Sequence, residues 1–324
     1  MAKVIMLDAF GGTENMRVAD VEVGAPGAGE ALIRQTVMGV NFSDVLARRG
    51  GYAGKPPLVL GREGVGVVEK LGAGVTHVKV GERVAYTSNP GGYAELRTVA
   101  ADRLVSIPKD IDDLHAMPLM MRGMTSHYLL FDIGRVALGT TMLAFSAAGG
   151  VGEILCQWAK SLGAIVIGST STAEKRAYAK RYCQYVVSYD AAEIKACIAD
   201  VTKGRGVDVV FDPVGKDTLE ISLASVRPRG MLAFYGSASG ATPHFDLARL
   251  APTSLFLTRA SLAPYIATRE ELLMRANATF DAYRSGKFKL EHITTFPLTE
   301  AVAAHKAIEG RGTTGPIVLV AAAR

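Results

Sequence analysis

A chain of 324 residues is long enough for about two domains, and with 49% hydrophobic and 21% charged residues it has the make-up of a globular protein able to bury large cores. The net charge of +5 admits an anionic partner, but no uninterrupted apolar run approaches the roughly 20 residues of a membrane span. The opening stretch MAKVIMLDAFGG is broken by Asp8, so neither a signal peptide nor a membrane anchor is expected. Cys156, Cys183 and Cys197 form no CxxC and leave an odd count, which reads as reduced thiols in a cytoplasmic protein.

The first third is a succession of short extended segments punctuated by glycine. Strands are expected at 18–23, 30–37, 64–70, 83–86 and 93–99, separated by turns at GAPGAG, LGAG and NPGG. An antiparallel, partly closed β-domain follows from that pattern. Within it, NFSDVLARRGGY reads as one short helix, started by Asn41 or Ser43 and stopped by Gly50 and Gly51. From about Arg122 the rhythm changes to apolar runs at 141–145, 164–168, 185–187, 207–211, 231–235 and 255–258, with helical segments between most of them. Such alternation predicts a doubly wound parallel sheet. Thr268 and Glu271 then fit a capping box opening a helix to about Tyr283. A strand near Ile293, a helix over 299–308 and a strand over 317–320 are more like the first third. The expected organisation is α/β: a β-rich domain over 1–122, a nucleotide-binding domain over 123–263, and a return to the first domain over 264–324.

The stretch MLAFSAAGGVGEILCQWAKSLGAIVIGSTST, 142–172, carries the main chemical signal. Its strand, glycine turn, helix and strand occupy about 30 residues, the setting in which a glycine fingerprint indicates a dinucleotide. Gly149 and Gly152 occupy glycine positions of that fingerprint, with Ala147 at the first. Glycine allows close backbone approach to a diphosphate, and the helix start offers unpaired N–H groups and a positive dipole end. A purely structural tight turn is the alternative reading. The basic segment EKRAYAKRYCQY fits a nucleic-acid contact, a solvated helix face, or recognition of an anionic cofactor. Met117, Met120, Met121 and Met124 suit core filling. GSASG has Ala238 where a nucleophile elbow has serine, and the six histidines lack an HExxH spacing.

Eight segments occur in order: VGAPGAGEALIR, MGVNFSDVLARRGGY, PLVLGREGVGVVEKLGAGV, KVGERVAY, GGYAELRTV, SAAGGVGEILCQWAKSLGA, GVDVVFDPVG and RPRGMLAFYGSASG. Through them nearly the whole chain resembles the medium-chain dehydrogenase/reductase superfamily, and within it the zinc-free quinone oxidoreductase branch, the relatives of ζ-crystallin. The resemblance implies a GroES-like β-barrel-type catalytic domain and a Rossmann doubly wound parallel-sheet domain. Zinc enzymes of the superfamily carry a cysteine ligand where this chain has Asn41, and a histidine where it has Arg62. They also carry a cysteine-rich lobe where GERVAYTSNPGGYAEL runs straight on. No metal is therefore expected, since catalytic zinc needs about three clustered ligands. Without a Lewis acid, hydrogen-bond donors must support a developing oxyanion, so acceptors that are already electron-poor become the better substrates.

The implied activity is hydride transfer from NADPH to a quinone or another conjugated carbonyl. Two rivals remain: an alkenal or enoyl-thioester reductase on the same scaffold, and a non-enzymatic crystallin-like or RNA-binding protein. By resemblance, Asn41 lies beside the nicotinamide and offers an amide N–H to substrate or ribose, while its other reading is a helix N-cap. Tyr52 matches a tyrosine at the substrate mouth, against the reading of a partly buried surface aromatic. Leu46 stands where relatives often have a second tyrosine. NADPH over NADH is implied by 168–172, GSTST, which has no acid to hold ribose hydroxyls. Lys175, Tyr189 and Arg311 match 2′-phosphate contacts, with Ser171 beside them. Tyr128, Gly149, Gly150, Val151, Gly152, Tyr235, Gly236 and Ser237 correspond to cofactor-lining positions. For Tyr128 the rival reading is core packing. DPVG, 212–215, ends a central strand on the cofactor side, and YCQ at 182–184 replaces a small GA pair of the relatives with no assigned role. The expected partners are a small-molecule acceptor and a second copy of the chain, paired along the apolar LFLT strand near Leu255, with neither membrane nor nucleic acid.

Overall fold

The structure, a computed structural model, describes residues 1–52, 54–240, 244–310 and 312–322. The chain divides into two compact units: Met1–Met121 with Ile266–Phe280 and Leu290–Arg324, and Arg122–Tyr265 with Asp281–Lys289.

The first unit is built on the long strand Glu30–Val40, EALIRQTVMGV, which is buried on both faces. It pairs antiparallel with Gly64–Leu71, Leu96–Ala100 and Ile317–Val320. Arg83–Tyr86 and Val105–Ser106 extend the sheet on one side, and Thr294–Pro297 joins parallel to Ile317–Val320 on the other. Register shifts at Leu32/Ile33 and Gln35/Val37 bend the long strand, as bulges do in a closing sheet. One core gathers Leu7, Met38, Val40, Leu60, Tyr93 and Leu319, and a second gathers Ile33, Val68, Val84, Tyr86, Val99 and Leu104. A smaller sheet holds Met16–Val21, Ala2–Leu7 and Leu58–Val59.

The second unit is a six-stranded parallel sheet in the order Tyr185–Val187, Ile165–Ser169, Thr141–Phe145, Val207–Asp212, Val226–Phe234, Phe256–Arg259. Its strand order reverses between Thr141–Phe145 and Val207–Asp212, the switch point where doubly wound sheets bind ligands. Leu143, Phe145, Ile167, Val210, Leu232 and Phe234 form the centre of its core. The short helix Met124–Tyr128 lies between two π-helical turns, Leu119–Gly123 and Leu129–Ile133. Asp281–Lys289 belongs to this unit, although it falls within the stretch 264–324 expected to return to the first. Phe288 packs against Trp158 with ring centroids 5.5 Å apart, and Lys289 N–H donates to Gln157.

Several boundaries move from their expected places. The strand expected at 18–23 is Met16–Val21, and the one expected at 93–99 starts at Leu96. Tyr93 precedes it in a loop, held by backbone bonds between its N–H and Leu60 C=O and between Ile5 N–H and its own C=O. The strand expected over 231–235 begins at Val226 and ends at Phe234. Ala2–Leu7, read only for its lack of an export signal, is a paired strand. The helix after Thr268 runs Arg269–Arg284, and its capping box is formed: Glu271 N–H donates to Thr268 Oγ1 and Thr268 N–H to Glu271 Oε2, both at 3.2 Å.

Candidate functional site

The glycine turn sits at the carboxyl end of Thr141–Phe145, beside the switch point. Ser146 takes the left-handed conformation there, φ 54°, so Ala147 at the first fingerprint position does not need to. A Cβ on Gly152 would lie 2.2 Å from Ser146 O, so only glycine lets the helix Gly150–Ser161 start this close to the strand. Gly149 is the N-cap and provides no side-chain cap. The first-turn N–H groups are thus left for an anion, which the dipole end also favours. Ser146 Oγ and Tyr189 OH are 2.9 Å apart, which joins the turn to the second residue beyond Tyr185–Val187.

Two buried hydroxyls at strand ends on the same side have no protein partner. Thr170 Oγ1 follows Ile165–Ser169, and Tyr235 OH follows Val226–Phe234. Burial pushes the Tyr235 phenol well up, so it stays a neutral donor. An orphaned buried hydroxyl costs about 1–3 kcal/mol, which a polar ligand would recover. Gly236 follows in a close approach, since a Cβ there would lie 2.3 Å from Pro213 O. That approach is held by Asp212. Its Oδ1 accepts from the N–H groups of Val214 (2.7 Å) and Gly215 (3.1 Å), and its Oδ2 from Thr218 Oγ1 (2.7 Å) and Ser222 Oγ (2.6 Å). Burial pushes the Asp212 carboxyl up, and these four donors oppose it.

Of the remaining expected cofactor positions, Ser171, Lys175, Tyr128, Val151 and Ser237 also belong to the second unit. Lys175 is in the first turn of Ala173–Ala179, whose N-cap Thr172 accepts from Lys175 N–H at 3.2 Å. Ser171 is exposed just before it. Tyr128 is buried and stacks on Tyr265, with centroids 4.2 Å apart and the rings nearly parallel, in keeping with the packing alternative. Val151 C=O faces Ser126 Oγ at 3.4 Å. Ser237 is part-buried beyond Gly236, and Arg311 lies outside the described residues.

Asn41 and Tyr52 belong to the first unit. Asn41 is the N-cap residue of Phe42–Arg48, and its N–H donates to Asp44 Oδ2 at 2.8 Å. Its amide Nδ2 donates to Glu63 Oε1 at 2.7 Å, so one of its two amide hydrogens is already engaged. Glu63 Oε2 also accepts from Met121 N–H (3.1 Å) and Thr87 Oγ1 (3.4 Å). Burial raises Asp44 to about 7; the charge of Glu63 adds to this, while Asn41 N–H, Arg62 and Tyr93 oppose it. Tyr93 OH lies 3.3 Å from Asp44 Oδ2 and 3.2 Å from His305 Nε2. Tyr52 is exposed, with the Arg62 guanidinium 4.6 Å from its ring centroid. The sequence alone does not single out the buried contacts of Asp44, Glu63, Tyr93, Thr170 and Ser146. For Asp44 and Glu63 the available signal was an acid in NFSD and another in GRE, beside positions already singled out.

Among the described residues no three or more His, Cys, Asp or Glu side chains form a group that could hold a metal ion. Among the same residues no helix is long and apolar enough to cross a membrane.

Comparison with known proteins places these features in a family. The alcohol dehydrogenase GroES-like domain family matches residues 27–109, and the zinc-binding dehydrogenase family matches 150–275. A 2-haloacrylate reductase from a Burkholderia species is 42% identical, over 99% of both chains. A quinone oxidoreductase of Pseudomonas aeruginosa is 40% identical, over 99% of this chain and all of its own. The crystal structure of Escherichia coli quinone oxidoreductase complexed with NADPH is 35% identical, with a TM-score of 0.95 over 98% of this chain and 99% of that one. With full-length relatives at this identity and both domain families matched in order, the chain belongs to the quinone oxidoreductase family of the medium-chain dehydrogenase/reductase superfamily.

Proposed function

We propose that this protein is an NADPH-dependent oxidoreductase that delivers hydride to a quinone or a comparably electron-poor conjugated carbonyl without a metal. NADPH, when bound, supplies the hydride from C4 of its nicotinamide, and a proton from solvent completes the reduction. The first-turn N–H groups at 150–152 would hold the diphosphate, and the hydroxyls of Thr170 and Tyr235 would gain the partners they lack. Lys175, Tyr189 and Ser171 would hold the 2′-phosphate, which also accounts for part of the basic cluster without a nucleic acid. Asn41 would present its second amide hydrogen to ribose or substrate, with Tyr52 beside the acceptor.

The observation that carries the choice of acceptor is the Asn41–Glu63 hydrogen bond at 2.7 Å. By the resemblance Asn41 stands where zinc relatives have a ligand, and an amide bonded to a carboxylate there supports an acceptor that brings its own electrophilicity. The 2-haloacrylate reductase relative favours a second reading, reduction of a conjugated alkene. Turnover of a quinone, an α,β-unsaturated aldehyde, an acyl thioester and a 2-haloacrylate, followed by NADPH oxidation, decides between them. Negligible quinone turnover beside fast alkene reduction would reject the first.

A homodimer belongs to the same reading. Among the described residues Phe256–Arg259 is the last strand of its sheet and Phe256 is 59% exposed, an edge suited to pairing with a second copy. Light scattering of the eluting protein measures the assembly. A cytoplasmic location accords with the unpaired thiols of Cys156, Cys183 and Cys197.

A further inference from the structure

Residues 182–184, Tyr-Cys-Gln, have no part in the proposed reaction, yet Tyr182 packs against the turn that would hold the cofactor. Tyr182 is buried, and its hydroxyl donates to Ala147 O at 3.0 Å, the first position of the fingerprint. Tyr178 meets Tyr182 edge to face, with centroids 5.8 Å apart, and its own hydroxyl donates to Glu153 Oε1. Glu153 is 1% exposed in the first turn of Gly150–Ser161, and its second oxygen, Oε2, has no partner. A buried, half-satisfied carboxyl therefore lies one residue beyond Gly152.

Tyr178 and Arg181 face this carboxyl from the helix Ala173–Ala179 and the turn that follows, with the Arg181 guanidinium 5.1 Å from the Tyr178 ring centroid. Tyr182 comes from the same turn, and beside it lie Cys183 and, from the carboxyl's own helix, Cys156. Burial raises Glu153 to about 7, against the Tyr178 hydroxyl and the Arg181 charge. The helix start favours one anion. A diphosphate and an ionised Glu153 at the same end would repel each other across a poorly solvated interior.

We propose that Glu153 is a positioning residue that takes up a proton when the cofactor's diphosphate settles on the glycine turn, with Tyr178 setting the pH of this coupling. The inference rests on the NADPH reading above. Its sign follows from linkage: a group whose proton affinity rises on binding takes up a proton, and cofactor affinity falls as pH rises past the free group's value.

The test is calorimetric titration of the unliganded protein with NADPH and with NADH between pH 6 and 9, in two buffers of different ionisation enthalpy. NADH removes the titration of the 2′-phosphate itself. For the parent, affinity for both nucleotides should fall about tenfold from pH 6.5 to 8.5, as a like charge near the ligand requires, with net proton uptake near pH 7.5. Glu153→Gln should bind as the parent does at pH 6.5, with no pH dependence and no uptake from this site. Tyr178→Phe removes a donor that favours the ionised carboxyl, so its midpoint should move to higher pH; it decides the matter if Glu153→Gln does not fold. A parent-like slope and uptake in Glu153→Gln, or an unmoved midpoint in Tyr178→Phe, would overturn the inference while leaving the cofactor reading intact. Absence of saturable nucleotide binding by the parent at every pH would overturn both.

Discussion

Asn41 Nδ2 and Glu63 Oε1 are 2.7 Å apart inside the first unit, and the same asparagine starts the helix Phe42–Arg48. Asn41→Ala removes the donor from a fully buried carboxylate, which should cost about 1–3 kcal/mol of stability. Asn41→Asp should cost more at pH 8, because it places a third acid beside Asp44 and Glu63, and should recover as the pH falls and that acid protonates. Urea unfolding at pH 8 and pH 5.5 measures both. In turnover, Asn41→Ala should lower kcat/KM by about 10–100-fold, or 1.4–2.7 kcal/mol of transition-state stabilisation.

The same pair shows what can and cannot be read from the chain. The parallel sheet was legible because each strand is a short apolar run between helical segments, and the Thr268–Glu271 box because its partners are three residues apart. Gly152 was legible because the close packing of strand and helix demands glycine at a fixed spacing. The Asn41–Glu63 bond spans 22 positions, Ser146–Tyr189 spans 43, and Tyr93–His305 spans 212. Such pairs leave no periodicity, since tertiary folding alone brings them together. Tyr93 illustrates the cost: an aromatic among apolar neighbours reads as strand, whereas its hydroxyl bridges two buried titratable groups from a loop.

Lys175 separates the two nicotinamide cofactors. A 2′-phosphate gains a charge-assisted bond from an ammonium that a bare ribose hydroxyl does not. Lys175→Ala should therefore weaken NADPH by tenfold or more, about 1.4 kcal/mol, and change NADH by less than twofold. Fluorescence titration with each nucleotide measures the ratio. Equal losses would remove Lys175 from phosphate recognition.

Asp212 holds the backbone of 213–215 with all four of its bonds internal. Asp212→Ala strands the Ser222 hydroxyl and two N–H groups, leaves Thr218 Oγ1 only its 3.3 Å bond to Gly215 O, and should cost about 3–5 kcal/mol. Asp212→Asn should be milder, about 1–2 kcal/mol. Its oxygen can keep Val214 and Gly215, while the hydroxyls of Thr218 and Ser222 rotate to accept from its amide. The two variants should differ in denaturation midpoint in that order. An alanine variant as stable as the parent would show that the loop does not depend on this carboxylate.

Asp44 and His305 meet at Tyr93 and should oppose each other in acid. Asp44 rises from 3.8 to about 7 by burial, so its contribution to stability is complete below its ordinary value and is lost as pH rises through 7. His305 falls from 6.5 to about 3, because burial and then the Arg48 charge disfavour the imidazolium. Its contribution is complete above 6.5 and is lost as pH falls toward 3. Between pH 4 and 6.5 the two slopes, each up to about 1.4 kcal/mol per pH unit, have opposite signs and nearly cancel. Removing one partner exposes the other. Relative to the parent, Asp44→Asn should gain stability as pH rises through that window, whereas His305→Gln should lose it. Urea unfolding at pH 4.5, 5.5 and 6.5 provides the comparison. If both variants track the parent at every pH, neither buried group titrates on unfolding, and the Asp44–Tyr93–His305 chain contributes by packing alone.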